Sequence, residues 1–141
     1  TIDHIASDHS PCTADLKLLE IGDFAQAWGG VSSVQLGFSA IWTAGKQFDI
    51  ELQDIARWFA ANPARNFGIA RKGEIAVGND ADFAIIAPDE TFTVKVAELE
   101  HKNKISPYDG REMRGVVKQT ILRGNTELTR DSKVGTELFH A

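Results

Sequence analysis

The fold is decided first by a stretch near the start of the chain, Ile5-Ala6-Ser7-Asp8-His9-Ser10-Pro11-Cys12. A short apolar run here ends abruptly in a carboxylate, an imidazole and a hydroxyl, and Pro11 then breaks the backbone. This order is typical of a buried parallel strand, because α/β barrels and open sheets build their sites at the carboxyl ends of their strands. We therefore expect Asp8 to bind a divalent metal or to accept a proton.

Capping of a following helix is the alternative role for this carboxylate. Residue preferences alone favour a cap formed by Asp8 or Ser10, with Pro11 in the first helical turn. A triad of Asp8, His9 and Ser10 is excluded, because neighbours on a strand point to opposite sides. No two histidines have a spacing that brings both imidazoles to one ion; the four are His4, His9, His101 and His140.

The composition excludes several classes of protein. The chain has 141 residues, of which 43% are hydrophobic, and a net charge of -5, which suits one domain or two partial ones and argues against a nucleic-acid surface. No apolar stretch reaches the ~20 residues that span a membrane. Cys12 is the only cysteine, so no internal disulfide forms and a reducing, cytoplasmic location is expected.

A glycine loop and a first helix follow the opening stretch. Apolar residues recur at helical spacing from Val31 to Trp42, with Ser32 or Ser33 as candidate caps and Gly45 as the expected end. The segment Trp28-Gly29-Gly30 lets the backbone approach a ligand closely, and free N–H groups at the helix start are suited to a carbonyl or an anion. A plain loop-to-helix turn is the alternative, and the pattern alone favours it.

A second helix is predicted from Asp49, its expected N-cap, to Asn62. It should stop there, because Pro63 disfavours the helical conformation in the residue before it. A short third helix would then begin with Pro63 at its first position and end at Gly68.

The rest of the chain is predicted to form strands. Residues 83–87 are a continuous apolar run, expected to be covered on both faces. Residues 91–96 alternate as in a half-buried strand, and residues 116–122 form another. A turn at residues 123–125 should lead to a last short strand near Leu128, followed by a mobile tail. Two acids before the first run, Asp80 and Asp82, are expected to be structural, since a calcium loop needs more oxygen ligands.

Five segments form an ordered series of motifs over nearly the whole chain. They are Ser7-Asp8-His9-Ser10-Pro11-Cys12, Trp28-Gly29-Gly30-Val31-Ser32-Ser33-Val34-Gln35, Asn62-Pro63-Ala64-Arg65, Gly73-Glu74-Ile75 with Gly78-Asn79-Asp80-Ala81-Asp82, and Ser106-Pro107-Tyr108-Asp109-Gly110-Arg111. Together they resemble the C-terminal part of the allantoinases, which are cyclic amidohydrolases related to dihydroorotases and hydantoinases. The first two segments point most narrowly to allantoinases.

The resemblance implies an α/β fold in two parts. Residues 1–66 would be the last strand and helices of a metal-dependent (β/α)8 barrel, and residues 67–141 part of a small β-sandwich with a C-terminal tail. Asp8 would bind one of two divalent ions, expected to be zinc, and shuttle a proton. The backbone at Gly29 and Gly30 would contact the substrate. The reaction would be hydrolysis of allantoin to allantoate.

The resemblance also implies what this segment lacks. The other metal ligands of the family, a His-x-His pair, a carboxylated lysine and two further histidines, would precede this chain. We therefore expect an inactive fragment of a cytoplasmic enzyme that is a homo-oligomer when complete. Its partner would be a small cyclic amide, with no nucleic acid and no membrane. Dihydroorotase or hydantoinase activity is the alternative, as is a non-catalytic structural module.

Overall fold

The computed structural model describes residues 2–128 and residue 132, and it contains short helices and one pair of strands. No helix in this part is long and apolar enough to cross a bilayer. The elements are α1 (Gly37–Gly45), α2 (Leu52–Ala56), a π-helical turn (Arg57–Ala61), α3 (Asn62–Asn66), β1 (Phe83–Thr93) and β2 (Glu112–Ile121), with 3-10 turns at Asp15–Lys17, Val34–Leu36, Lys46–Phe48 and Val96–Glu98.

The predicted first helix is confirmed as α1. One 3-10 turn, Val34–Leu36, leads directly into it, and it ends at Gly45 as expected before a further 3-10 turn. The predicted caps are wrong, because Ser33 makes no side-chain cap and its Oγ instead donates to the carbonyl oxygen of Ser7 at 3.0 Å. The serine therefore fixes the helix start to a distant segment.

The second and third helices are continuous, contrary to the predicted break before Pro63. The N–H of Asn62 donates to the carbonyl of Arg57, five residues back, so the chain passes through a π-helical turn. This wider turn accommodates Pro63, which lacks an N–H, without ending the helix. The predicted N-cap is also wrong: Glu51 occupies that position and forms a capping box with Asp54.

The end of α3 and the following loop agree with the sequence. Gly68 has a φ of +63°, and its N–H donates to the carbonyl of Arg65 at 3.3 Å. A left-handed residue of this kind terminates helices because glycine carries no Cβ to clash.

The predicted strand at residues 83–87 and the first part of that at 91–96 form a single strand, β1, which ends at Thr93 and pairs antiparallel with β2. The strand predicted to reach residue 96 is therefore too long, since Val96 begins a 3-10 turn. The register shifts between Ile85 and Ile86 and again between Ala87 and Thr91. The predicted cover on both faces is wrong within the described part, because Ile85 and Val117 are both more than two-fifths exposed.

The end of the sheet follows the predicted turn. Leu122 and Asn125 form an isolated bridge around residues 123–124. Leu128 lies in irregular structure, so the strand expected there is absent among the described residues. The tail predicted to be mobile, apart from Ser132, lies outside them.

Helix α1 packs against β2 through a glycine. Gly115 has a φ of +84°, and a Cβ there would lie 2.7 Å from the rings of Phe38 and Trp42. Its carbonyl oxygen accepts the hydroxyl of Ser39 at 2.6 Å, and Trp42 Nε1 donates to the carbonyl of Pro88 at 2.9 Å. The helix and the sheet are therefore held together by hydrogen bonds as well as by burial.

The hydrophobic core is small and lies beside this contact. Its buried members are Leu36, Val94, Leu99 and Met113. Elsewhere, Phe24, Ile75 and Val77 are almost fully exposed. These apolar side chains lie outside the core of the described residues.

An ion cluster fixes the loop before β1. Lys72 pairs with Asp82 and, at 2.9 Å, with Asp80, and Arg71 pairs with Asp80 at 2.8 Å. Asp82 also accepts the N–H of Arg123 at 2.7 Å, which joins the loop to the end of the sheet. The two acids are thus structural, as predicted.

This cluster shifts the pKa of each of its acids and of its central lysine. The hydrogen bond with Asp82 and then that with Asp80 raise the pKa of Lys72 above its ordinary 10.5. The hydrogen bond with Lys72 lowers the pKa of Asp80 and of Asp82 below their ordinary 3.8, and for Asp82 the N–H of Arg123 adds to this effect.

We predict that Lys72→Met lowers the free energy of unfolding at pH values between 3.8 and 10.5, the ordinary pKa values of the acids and of the lysine. Carboxylates with lowered pKa values stabilise the fold above pH 3.8 and lose that contribution as the pH falls through the lowered values. A lysine with a raised pKa stabilises it below pH 10.5 and loses that contribution as the pH rises through the raised value. The difference from wild type, measured by urea denaturation, should shrink at both extremes.

The matched control for this prediction is Lys118→Met. Lys118 pairs with Glu90 at 2.8 Å, and both side chains are about half exposed. Such exposed pairs contribute little. Equal losses of stability in the two variants would contradict a structural role for the cluster.

Candidate functional site

The segment that contains Asp8 is irregular and is not a strand. Only His9 pairs, through a parallel bridge to Val31 in which the N–H of Ser10 donates to the Val31 carbonyl at 3.0 Å. The buried strand predicted for residues 5–7 is therefore absent from the described structure, and Ala6 and Ser7 are exposed. The bridge between His9 and Val31 is parallel, as expected for the edge of a parallel sheet.

Asp8 lies at a cavity of about 310 Å³ that it shares with Gly29 and Gly30. The structure thus brings together all three residues that the sequence predicted for the site. The remaining lining residues are Ile5, Ala6, Ser7, Val31, Ser33, Gly37, Ala40, Ile41, Phe59 and Tyr108. The walls are mostly apolar with a few polar groups, which is the usual character of a small-molecule site.

The helix-capping alternative is not supported for Asp8 or Ser10. The next helical turn begins only at Asp15, after Ala14, and has no side-chain cap. Asp8 itself has a φ of +45° and is exposed. Its carboxylate has no hydrogen-bond or ion-pair partner among residues 2–128. This leaves the carboxylate free for a ligand at the cavity.

The two glycines of the loop differ in their surroundings. A Cβ on Gly30 would collide with the side chain and the carbonyl oxygen of Ser10, whereas one on Gly29 would meet no atom within 4 Å. Lys17 holds the loop from outside, since its Nζ donates to the carbonyl of Gly30 and, at 2.8 Å, to that of Trp28. Gly30 therefore permits a close approach of two backbones.

The N–H groups at the start of the helix are not free, contrary to the sequence prediction. His9 Nδ1 accepts the N–H of Ser33 at 3.0 Å and that of Val34 at 3.2 Å. A ring nitrogen that accepts in this way carries no proton, so any proton of the neutral ring is on Nε2. These two N–H groups are therefore not donors for a ligand in this arrangement.

His101 lies against this histidine. The two ring centroids are 4.9 Å apart and the planes are inclined by 51°. His101 is only 7% exposed, and neither of its ring nitrogens has a hydrogen-bond partner in the described structure. Burial, followed by the nearby His9 and Lys104, lowers the pKa of His101 below its ordinary 6.5 and favours the neutral ring.

Sequence reasoning missed these supporting residues for a physical reason. His9 and His101 are far apart in the chain, so their contact has no spacing signature. Lys17 likewise contacts the loop across an irregular segment. No local pattern marks any of the three.

Residues 3–126 match the amidohydrolase family. The chain belongs to that family. Over 124 residues it is 53% identical to the allantoinase of Streptomyces avermitilis, covering 88% of this chain and 27% of that protein. It is 46% identical over 141 residues to the probable allantoinase 2 of Dictyostelium discoideum, covering 95% of this chain and 28% of that one. The resemblance inferred from the motifs is confirmed.

Solved structures of related enzymes share the fold of this segment. The L-hydantoinase (dihydropyrimidinase) of Arthrobacter aurescens superposes with a TM-score of 0.83 at 28% identity, over 96% of this chain and 30% of that chain. The D-hydantoinase of a Thermus species gives 0.79 at 27% identity, over 97% and 30%. The chain thus spans between a quarter and a third of the length of these relatives.

The structure of this amidohydrolase segment offers a divalent metal one ligand. Carboxylate oxygen is a common ligand of such ions, and Asp8 is exposed at the cavity without a protein partner in the described part. No group of three or more His, Cys, Asp or Glu residues within the described residues is able to hold a metal ion. Asp8 is thus the one carboxylate among the described residues that line the cavity, and by itself it forms no metal site.

We predict that substitution by alanine lowers the stability strongly at Gly30 and very little at Gly29. Gly30→Ala should cost about 1–3 kcal/mol, because the new Cβ overlaps Ser10 and the bridged backbones must separate. Gly29→Ala should change stability by less than about 0.5 kcal/mol, since its Cβ meets open space. Thermal and urea unfolding measure both. A Gly30→Ala protein as stable as wild type would show that the close approach is not required.

Proposed function

We propose that this chain is part of an allantoinase-type cyclic amidohydrolase, which opens the five-membered ring of allantoin to give allantoate. The observation that supports this is the cavity shared by Asp8, Gly29 and Gly30 in a chain 53% identical to an allantoinase. A complete (β/α)8 barrel needs ~250 residues, so residues 1–66 would supply only its last part and residues 67–141 part of a β-sandwich. The exposed Phe24, Ile75 and Val77 fit contacts with the remainder of the enzyme.

Asp8 has the central role in this proposal. It would hold one of two divalent ions, with zinc as the expected metal. Bound metal supplies a hydroxide at neutral pH and polarises the ring carbonyl. The carboxylate of Asp8 would accept the proton of the attacking hydroxide and pass it to the leaving ring nitrogen. Its exposure at the cavity leaves it able to do both.

The glycine loop would bind the ring. The N–H groups of Gly29 and Gly30 have no acceptor in the described part of the chain, and the loop is held in place through its carbonyls by Lys17. A cyclic imide presents carbonyl oxygens that such donors recognise. The mostly apolar wall would exclude water from the rest of the ring.

Hydantoinase or dihydroorotase activity is the competing function, and it is supported by the likeness of the fold to the hydantoinases. The higher identity to allantoinases favours allantoin. Ring opening by the complete enzyme should be measured with allantoin, dihydroorotate and hydantoin in parallel. Cleavage of either alternative with allantoin untouched would refute the proposed substrate.

We further expect the complete enzyme to be a homo-oligomer. We expect it in the cytoplasm, and the single cysteine of this chain fits that reducing compartment.

We predict that Asp8→Asn in the complete enzyme lowers kcat by at least about 100-fold, because the amide can neither accept the proton nor bind metal as a carboxylate does. The matched control is Asp15→Asn, which changes an exposed acid outside the cavity. It should leave kcat unchanged. Comparable activity in the two variants would remove Asp8 from the mechanism.

We also predict that the isolated 141-residue chain binds no stoichiometric zinc after dialysis, since its described part contains no group of three or more side chains able to hold a metal ion. Elemental analysis of the purified chain is the measurement. One tightly bound zinc per chain, lost in Asp8→Ala, would contradict the view that the other ligands come from elsewhere.

A further inference from the structure

His9 is placed to hold the glycine loop relative to Asp8. It follows Asp8 in the chain and forms the parallel bridge with Val31, the residue directly after the loop. Its Nδ1 accepts the N–H groups of Ser33 and Val34, which begin the helical segment. A single residue thus connects the segment that carries Asp8 to the residues that follow the loop.

His101 contacts the same ring and makes no hydrogen bond of its own in the described structure. Since neither ring nitrogen has a partner in the described structure, His101 contributes the shape of its ring to this contact and no hydrogen bond. The close approach of the two rings restricts the positions that the His9 ring is able to take. His101 therefore acts through its shape, by keeping Nδ1 of His9 directed at the two N–H groups.

We propose that His9 and His101 are a pair of positioning residues that set the distance between Asp8 and the Gly29–Gly30 loop. This inference rests on the proposed function, in which the loop binds the ring and Asp8 transfers the proton. Displacement of the loop would weaken substrate binding first, because in that function the loop, and not Asp8, holds the ring carbonyls.

The hydrogen-bond part of the proposal is tested with three substitutions of His9 in the complete enzyme. The side-chain oxygen of Asn reaches about the position of Nδ1, whereas that of Gln reaches the position of Nε2. We expect His9→Ala and His9→Gln to raise KM about tenfold or more with a smaller change in kcat, and His9→Asn to restore most of the loss. Equal KM values for the Asn and Gln variants would overturn the assignment to Nδ1.

The packing part is tested at His101. His101→Phe keeps a ring of similar size without nitrogen atoms, whereas His101→Ala removes the ring. We expect the Phe variant to retain the wild-type KM within about threefold and the Ala variant to resemble His9→Ala. A Phe variant as impaired as the Ala variant would overturn the packing role. His4→Ala is the control, because His4 contacts Phe67 outside the cavity.

Hydrogen exchange provides a readout that needs no turnover. The amides of Ser33 and Val34, followed by mass spectrometry in the complete enzyme, should exchange about tenfold faster in His9→Ala and at nearly the wild-type rate in His9→Asn. Unchanged exchange in His9→Ala would overturn the proposal. If the wild-type enzyme opens no cyclic amide, the proposed function fails, and the exchange rates still decide whether the pair holds the loop.

Discussion

Three consecutive residues, Ser32, Ser33 and Val34, join the segments on which the site depends. Ser33 and Val34 donate their N–H groups to His9, and the hydroxyl of Ser33 donates to the carbonyl of Ser7. The carbonyl of Ser32 accepts the hydroxyl of Ser106 at 2.8 Å. Both serines are buried, where an unpaired polar group is costly, so these bonds favour one arrangement of the three segments.

The same helical segment transmits this arrangement to the sheet. Its first turn is bonded to the segment around Asp8, and its later residues pack on Gly115, where only glycine allows the aromatic rings to approach. Thr43 continues the contact by accepting the N–H of Arg114 at 2.9 Å. The β-rich part of the chain therefore supports α1, the helix that contributes one wall of the cavity.

The parts of the fold that the sequence predicted are those set by local chemistry. Helical periodicity predicted α1, and the glycine at position 68 predicted the end of α3. The glycine pair and Asp8, which the sequence also singled out, line the same cavity. The π-helical turn before Pro63 was missed, because the rule for proline describes the residue before it and not a change of helical pitch. The roles of His9 and His101 were missed because their contact arises only when residues far apart in the chain fold together.

The relation to the hydantoinases separates what the backbone provides from what the side chains provide. At 28% identity the segment keeps a TM-score of 0.83, so most side chains changed while the path of the chain did not. The close approach at Gly30 and the bridge between His9 and Val31 are backbone features. They place the loop beside Asp8 independently of the side chains around it. Under the proposed function, discrimination among cyclic amides would then depend on the side chains around that loop and on parts of the enzyme outside this chain.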